Sequence, residues 1–136
     1  MLIVSRATRV MDRLTALTTL DINRMRLLTC FSDFVGQLTA LTTLDALSCT
    51  ALTCLPESLG QLAALQTLDL ACCSALTHVP ASLDKLARLR TLHLKRCTAL
   101  TCLSPTLGQL AGLAALFSCR VHFFDLPARA GSANEP

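Results

Sequence analysis

The chain contains no Trp and no Tyr, and only 15% of its residues are charged. The first absence removes two of the residue types that most often anchor tight protein interfaces. With five Phe as the entire aromatic content, there is also little material for stacking nucleic-acid bases. The scarcity of charge, set beside a hydrophobic share of 52%, excludes a disordered chain. Twelve Lys and Arg against nine Asp and Glu leave a net charge of +3, too mild for a general polyanion binder. A Gly-rich phosphate loop ending in Lys-Ser or Lys-Thr is missing, and so is any Asn-x-Ser/Thr acceptor site. The apolar start Met1-Leu2-Ile3-Val4 stops at Ser5-Arg6, without the basic region and longer apolar core of a secretory signal. Two Arg and no acid before Met11 are weakly reminiscent of a transit peptide, a reading that the repeat phase described below outweighs.

Leucine is what the chain has in excess, with thirty in 136 residues. The longest uncharged stretch, Cys97 to Cys119, is 23 residues and long enough to cross a bilayer. Pro105, Gly108, Gln109 and Gly112 interrupt it, together with four Thr or Ser before Gly108, so no membrane span is expected. The leucines have another explanation. Segments beginning at Leu14, Leu38, Leu62, Leu86 and Leu110 align without gaps at a period of 24 residues. From Leu62 the unit reads LAALQTLDLACCSALTHVPASLDK, and from Leu86 LARLRTLHLKRCTALTCLSPTLGQ. The shared frame is LxxLxxLxLxxCxxLxxLPxxLGx, with Ala46 in the place of Leu70 and Leu94.

This frame resembles the leucine-rich repeat family over roughly residues 14–126. Cys49, Cys73 and Cys97, where many repeats carry Asn, together with the LPESLGQL that follows Cys54, look most like the repeats of plant intracellular disease-resistance proteins and of Ras-group-related leucine-rich-repeat proteins. The resemblance implies an α/β solenoid, a right-handed superhelix or horseshoe with a parallel concave sheet of about five strands. It implies a recognition module, with defense response and signal transduction as the associated processes.

Elementary geometry leads to the same coil. Around Thr43-Leu44-Asp45-Ala46-Leu47 the pattern alternates with period two, so Leu44 and Ala46 point inward and Thr43, Asp45 and Leu47 outward. Cys49 sits where the chain turns, Leu52 and Leu55 return to the core, and Pro56 fixes the backbone ahead of a short helical or irregular return over Ser58–Leu62. One unit cannot bury its own leucines, so the coils must stack. The expected organisation is a partial repeat over 1–13, repeats over 14–126 with the last degenerate, and a disordered tail over 127–136. In the first unit Phe31-Ser32-Asp33 replaces Leu-Pro-Glu, so its return is expected to be degraded. In the last, Ser118, Val121 and Phe124 replace Leu, Cys and Leu. Val4, Ala7 and Met11 fall in phase with Leu52, Leu55 and Leu59, and no polar cap is recognisable at either end. A fragment of a larger receptor or resistance-like protein, or self-association through uncapped ends, is therefore an alternative expectation.

Eight cysteines raise the question of disulfides or metal. Most fall on the repeat period, which favours free thiols in a cytoplasmic, reducing setting. Cys30, Cys54, His78 and Cys102 form a column of thiolate and imidazole groups. Ligands rising one per coil make a line, however, and zinc needs four donors converging on a point, so no metal and no cofactor is expected.

On the sheet face the period sets up columns. One is Asp21, Asp45, Asp69, His93, Phe117, and a neighbouring one contains Leu47 and Lys95. Arg24 and Arg96 belong to a third, and Arg90 to a more lateral one. Three carboxylates one rung apart repel one another unless a cation or basic partner compensates. These ten residues are the candidate partner-binding set, with His93 adding pH sensitivity. The opposing expectation is that TLDL is copied consensus and the Asp residues are merely solvated. A thiol enzyme would have to use Asp69, His93 and Cys119, and the diagonal from His93 to Cys119, roughly 8 Å by strand geometry, exceeds hydrogen-bond reach. No enzyme and no nucleic-acid partner is expected.

Overall fold

The structure is a computed structural model, described over residues 15–100, 102–103, 107, 115–118 and 122–123. The partial repeat expected over 1–13 and the tail over 127–136 lie outside the described residues, as do Cys119, Val121 and Phe124.

Each Thr-Leu-Asp triplet, and Thr91-Leu92-His93-Leu94 in the equivalent place, forms a short strand whose first leucine faces the core. The strands are β1 (Thr19–Asp21), β2 (Thr43–Asp45), β3 (Thr67–Asp69) and β4 (Thr91–Leu94). Then come β5 (Cys102–Leu103), β6 (Ala115–Ser118) and β7 (His122–Phe123). β1, β2, β3, β4 and β6 make one parallel five-stranded sheet in that order. The register is Thr19↔Thr43, Thr43↔Thr67, Thr67↔Thr91 and Thr91↔Ala115, one 24-residue coil per rung. This is a leucine-rich-repeat solenoid. Leu44, Leu68, Leu92, Ala46, Leu70 and Leu94 are buried, while Thr43, Asp45 and Leu47 are half-exposed, as the period-two pattern requires.

The turn after each strand is built from two devices. The first is the cysteine column, in which the thiols of Cys49, Cys73 and Cys97 donate to the carbonyls of Ile22, Ala46 and Leu70 at 3.2, 3.2 and 3.0 Å. Each buried thiol thus ties its coil to the one before. The second is a left-handed backbone residue at Arg24, Ser48, Cys72 and Arg96, with φ of 61°, 61°, 64° and 62°. Three of their amides still reach across the stack: Arg24 N donates to Leu47 O at 2.7 Å, Ser48 N to Ala71 O at 2.8 Å and Cys72 N to Lys95 O at 2.7 Å.

On the far side the return is a 3₁₀ helix in three successive coils, at Asp33–Gln37, Glu57–Gln61 and Ala81–Lys85. Pro56 and Pro80 set the extended backbone that starts two of them. The first helix corrects an expectation, because Phe31-Ser32-Asp33 does not degrade the return. Ser32 adopts φ −69° and ψ 154°, close to Pro56 at −73° and 152°, and its hydroxyl accepts from Phe34 N at 3.2 Å. A side-chain cap replaces the ring constraint. The final coil departs in register. The period places Phe124 in the position of Leu100, yet β5 pairs with β7 as Cys102↔His122 and Leu103↔Phe123. The chain is four residues shorter there than one full coil.

Gly36 and Gly60 lie in the 3₁₀ helices, and neither has positive φ. Their role is close approach. A methyl group on Gly60 would lie 2.6 Å from Ser82 Cβ and 2.7 Å from Ser82 O, and one on Gly36 2.6 Å from Ser58 O. The same seam carries a clasp in which Ser82 Oγ donates to Glu57 O at 2.7 Å and Ser82 N to Glu57 Oε1 at 3.2 Å. Gly60→Ala should therefore push two coils apart and destabilise the chain by about 1–3 kcal/mol. Chemical denaturation followed by circular dichroism measures this, and an unchanged midpoint would contradict the close approach.

Candidate functional site

The sheet face gathers the central column as the period implied. Asp21, Asp45, Asp69, His93 and Phe117 are successive partners across the parallel register. The structure also gives the aspartates a local task. Asp45 Oδ1 accepts from Leu47 N at 3.0 Å, Asp69 Oδ1 from Ala71 N at 2.9 Å, and Asp21 Oδ1 from Asn23 N at 3.1 Å. These are Asx turns that end the strands, satisfying an amide the ladder leaves over. One oxygen of every carboxylate is thus committed to the fold. The signal was present in the sequence as Asp two residues before the end of each strand-turn segment, and the charge of the column drew attention away from it.

At the next rung Asp69 Oδ2 and His93 Nδ1 are 3.2 Å apart, with side-chain exposures of 22% and 34%. The second oxygen of Asp69 thus has a partner that gains charge on protonation. Leu47 is half-exposed and follows the same strand line, whereas Arg24, Arg90, Lys95 and Arg96 are exposed. They do not form a single cluster. Arg90 precedes β4 and donates its amide to Gln66 O at 2.8 Å, while Lys95 and Arg96 follow β4. The basic side chains therefore bracket His93 from both ends of its strand. Arg24 sits three rungs away, in the same left-handed column as Arg96. Phe117 is placed by its backbone beside His93.

Of the Asp69, His93, Cys119 constellation, the first two members are in contact, and Cys119 lies outside the described residues. Among the buried thiols, burial pushes Cys73 up to about 12 and Cys97 up to about 11, and Cys49 upward as well. A thiol held protonated in this way is a poor nucleophile. Among the described residues no group of three or more His, Cys, Asp or Glu is arranged to hold a metal ion, and no helix is long and apolar enough to cross a membrane.

Two concavities lie off the sheet face. A polar groove of about 620 Å³ runs along the 3₁₀ seam between Asp33, Gln37, Glu57, Gln61, Ser82 and Lys85. An apolar pocket of about 310 Å³ opens at the first described coil, lined by Leu17, Leu20, Ile22, Leu28, Cys30 and Phe31 among others.

No protein-family model matches the chain, and no curated protein matches it. Among solved structures it is similar to the plant peptide hormone receptor RGFR1 in complex with RGF2. The identity is 23% and the TM-score 0.45, over 90% of this chain and 28% of that one. It is also similar to an internalin, inlF, from Listeria monocytogenes, at 18% identity and a TM-score of 0.37, over 90% of this chain and 47% of that one. The chain thus spans less than half the length of either structure.

Proposed function

We propose that the chain is a non-catalytic protein-interaction module that takes its partner on the sheet face. The observation that carries this reading is the register that lines up Asp21, Asp45 and Asp69 on an open strand face and ends the line at His93, between Arg90 and Lys95-Arg96. The complementary partner is a protein segment with basic side chains toward the aspartates and acidic ones toward the arginines. Leu47 and Phe117 supply the apolar contacts. A cytoplasmic setting, and a role in recognition or signalling, go with this proposal. Three coils use a thiol S–H as a structural donor, which needs the reduced form and so supports a reducing compartment.

The test is the triple variant Asp21→Asn, Asp45→Asn, Asp69→Asn. Asn keeps the side-chain oxygen that closes each Asx turn and removes only the charge. Calorimetric titration with an Arg/Lys-rich peptide should show roughly tenfold weaker binding by the variant, in line with three partly exposed charge pairs. The thermal midpoint should stay close to wild type. Equal affinity would remove the aspartate column from the binding face.

A further inference from the structure

The column weighed above as a metal site contains a different arrangement in its first two rungs. Cys30 and Cys54 face each other across an isolated parallel bridge, and their sulfurs are 3.2 Å apart. Residues paired between parallel strands have Cα atoms about 4.8 Å apart, inside the roughly 4.4–6.8 Å that disulfides span. Cys30 is exposed and Cys54 half-buried, so a solute can reach the pair. The third rung offers His78, whose Nδ1 is 3.1 Å from Thr77 Oγ1, and the described residues hold no set of three donors for a metal. Cys49, Cys73 and Cys97 are buried with their thiols donated to backbone carbonyls, so they are poor competitors for a solution oxidant.

We propose that Cys30 and Cys54 are a reversible oxidation site, converted to an inter-coil disulfide by a low-molecular-weight disulfide of the glutathione class. The contact with the Cys54 thiol pushes Cys30 up, so the first exchange proceeds through the minor thiolate fraction of the exposed Cys30, which attacks one sulfur of the reagent. Its S–S bond breaks, one thiol leaves carrying a proton, and Cys30 holds the other half as a mixed disulfide. In the second exchange Cys54, having lost its proton, attacks Cys30 Sγ and expels the second thiol. Two protein thiols are oxidised and one reagent disulfide is reduced to two thiols, with the two protons passing to the leaving groups. The new bond closes a loop of 24 residues and ties the first two described coils together. Cys30 also lines the apolar pocket with Leu17, Leu28 and Phe31, so oxidation fixes one wall of that pocket.

The experiment uses the full chain, equilibrated in mixtures of reduced and oxidised glutathione, acid-quenched, alkylated and peptide-mapped. The expected result is a Cys30–Cys54 cross-linked peptide that grows with the oxidised fraction, loss of two thiols per molecule, full reversal by dithiothreitol, and a thermal midpoint several degrees higher when oxidised. Cys30→Ser and Cys54→Ser should each abolish the cross-link. Glutathione retained as a mixed disulfide in wild type, cross-links scattered over other cysteines, or no thiol loss in oxidised glutathione alone would each overturn the proposal. The wild-type mapping decides the matter even where a serine variant folds poorly.

Discussion

Leu68→Ala is expected to cost about 3–5 kcal/mol of folding stability, at the upper end of large-to-small core substitutions. Leu68 has no exposed surface and lies between Leu44 and Leu92 in the parallel register, so its side chain meets both neighbouring coils. Relaxation into the cavity is blocked on both sides. The β2–β3 and β3–β4 ladders hold the strands, and the continuing bonds Ala46 N→Asp69 O and Leu70 N→His93 O, at 2.8 and 3.0 Å, hold the chain beyond them. In a stack where each coil touches only its neighbours, the damage falls on two interfaces together. Urea unfolding should therefore show a lower midpoint and, with the array weakened at its middle, a broader transition of smaller slope. Leu27 is the control, since it is 93% exposed and its truncation should change stability by less than about 0.5 kcal/mol. A loss under about 1 kcal/mol at Leu68 would contradict the packing of the coils.

Stability should also fall steeply in alkali, and the thiol column sets the window. Burial raises Cys73 to about 12 and Cys97 to about 11 from an ordinary 9.0. A group whose folded value lies above its unfolded value stabilises the fold below the unfolded value and loses that contribution as pH rises toward the folded one. Below pH 9 both states keep the proton and the contribution is complete. Between about 9 and 11–12 the unfolded chain ionises first, and each thiol withdraws up to about 1.4 kcal/mol per pH unit. Denaturant midpoints measured from pH 8 to 10.5 should decline, and Cys73→Ala should flatten the decline while lowering the starting stability. A curve of equal slope in the variant would remove Cys73 from the account.

Much of the fold was legible because a solenoid writes its geometry into a period. The 24-residue spacing of Leu44, Leu68 and Leu92 states the register directly, since equal coils place equal positions opposite each other. The inward and outward assignments at Thr43–Leu47 followed from strand alternation alone. What was not legible depended on atoms rather than spacing. The Asx turns at Asp21, Asp45 and Asp69 need to be seen to separate a structural oxygen from a binding one. Ser32 read as the loss of a proline, yet its hydroxyl restores the helix start by another means. The period puts Arg90, Lys95 and Arg96 in separate columns, but that they flank His93 from the two ends of β4 is read from the strand bounds. The shortened final coil escaped because the period sets Phe124 opposite Leu100, and only the β5–β7 pairing places Phe123 opposite Leu103.

The left-handed column of Arg24, Ser48, Cys72 and Arg96 has a consequence for how this scaffold can change. A side chain in that backbone region costs about 1–2 kcal/mol that glycine avoids, and none of the four is glycine. Shape alone would thus favour replacing each of them. Substitution by glycine at such a position separates two properties that usually fall together, because the fold gains while whatever the side chain does outside the fold is lost. On the proposed sheet-face binding, Arg24 and Arg96, both exposed, are positions where a gain in robustness and a loss of recognition would arrive in the same mutation.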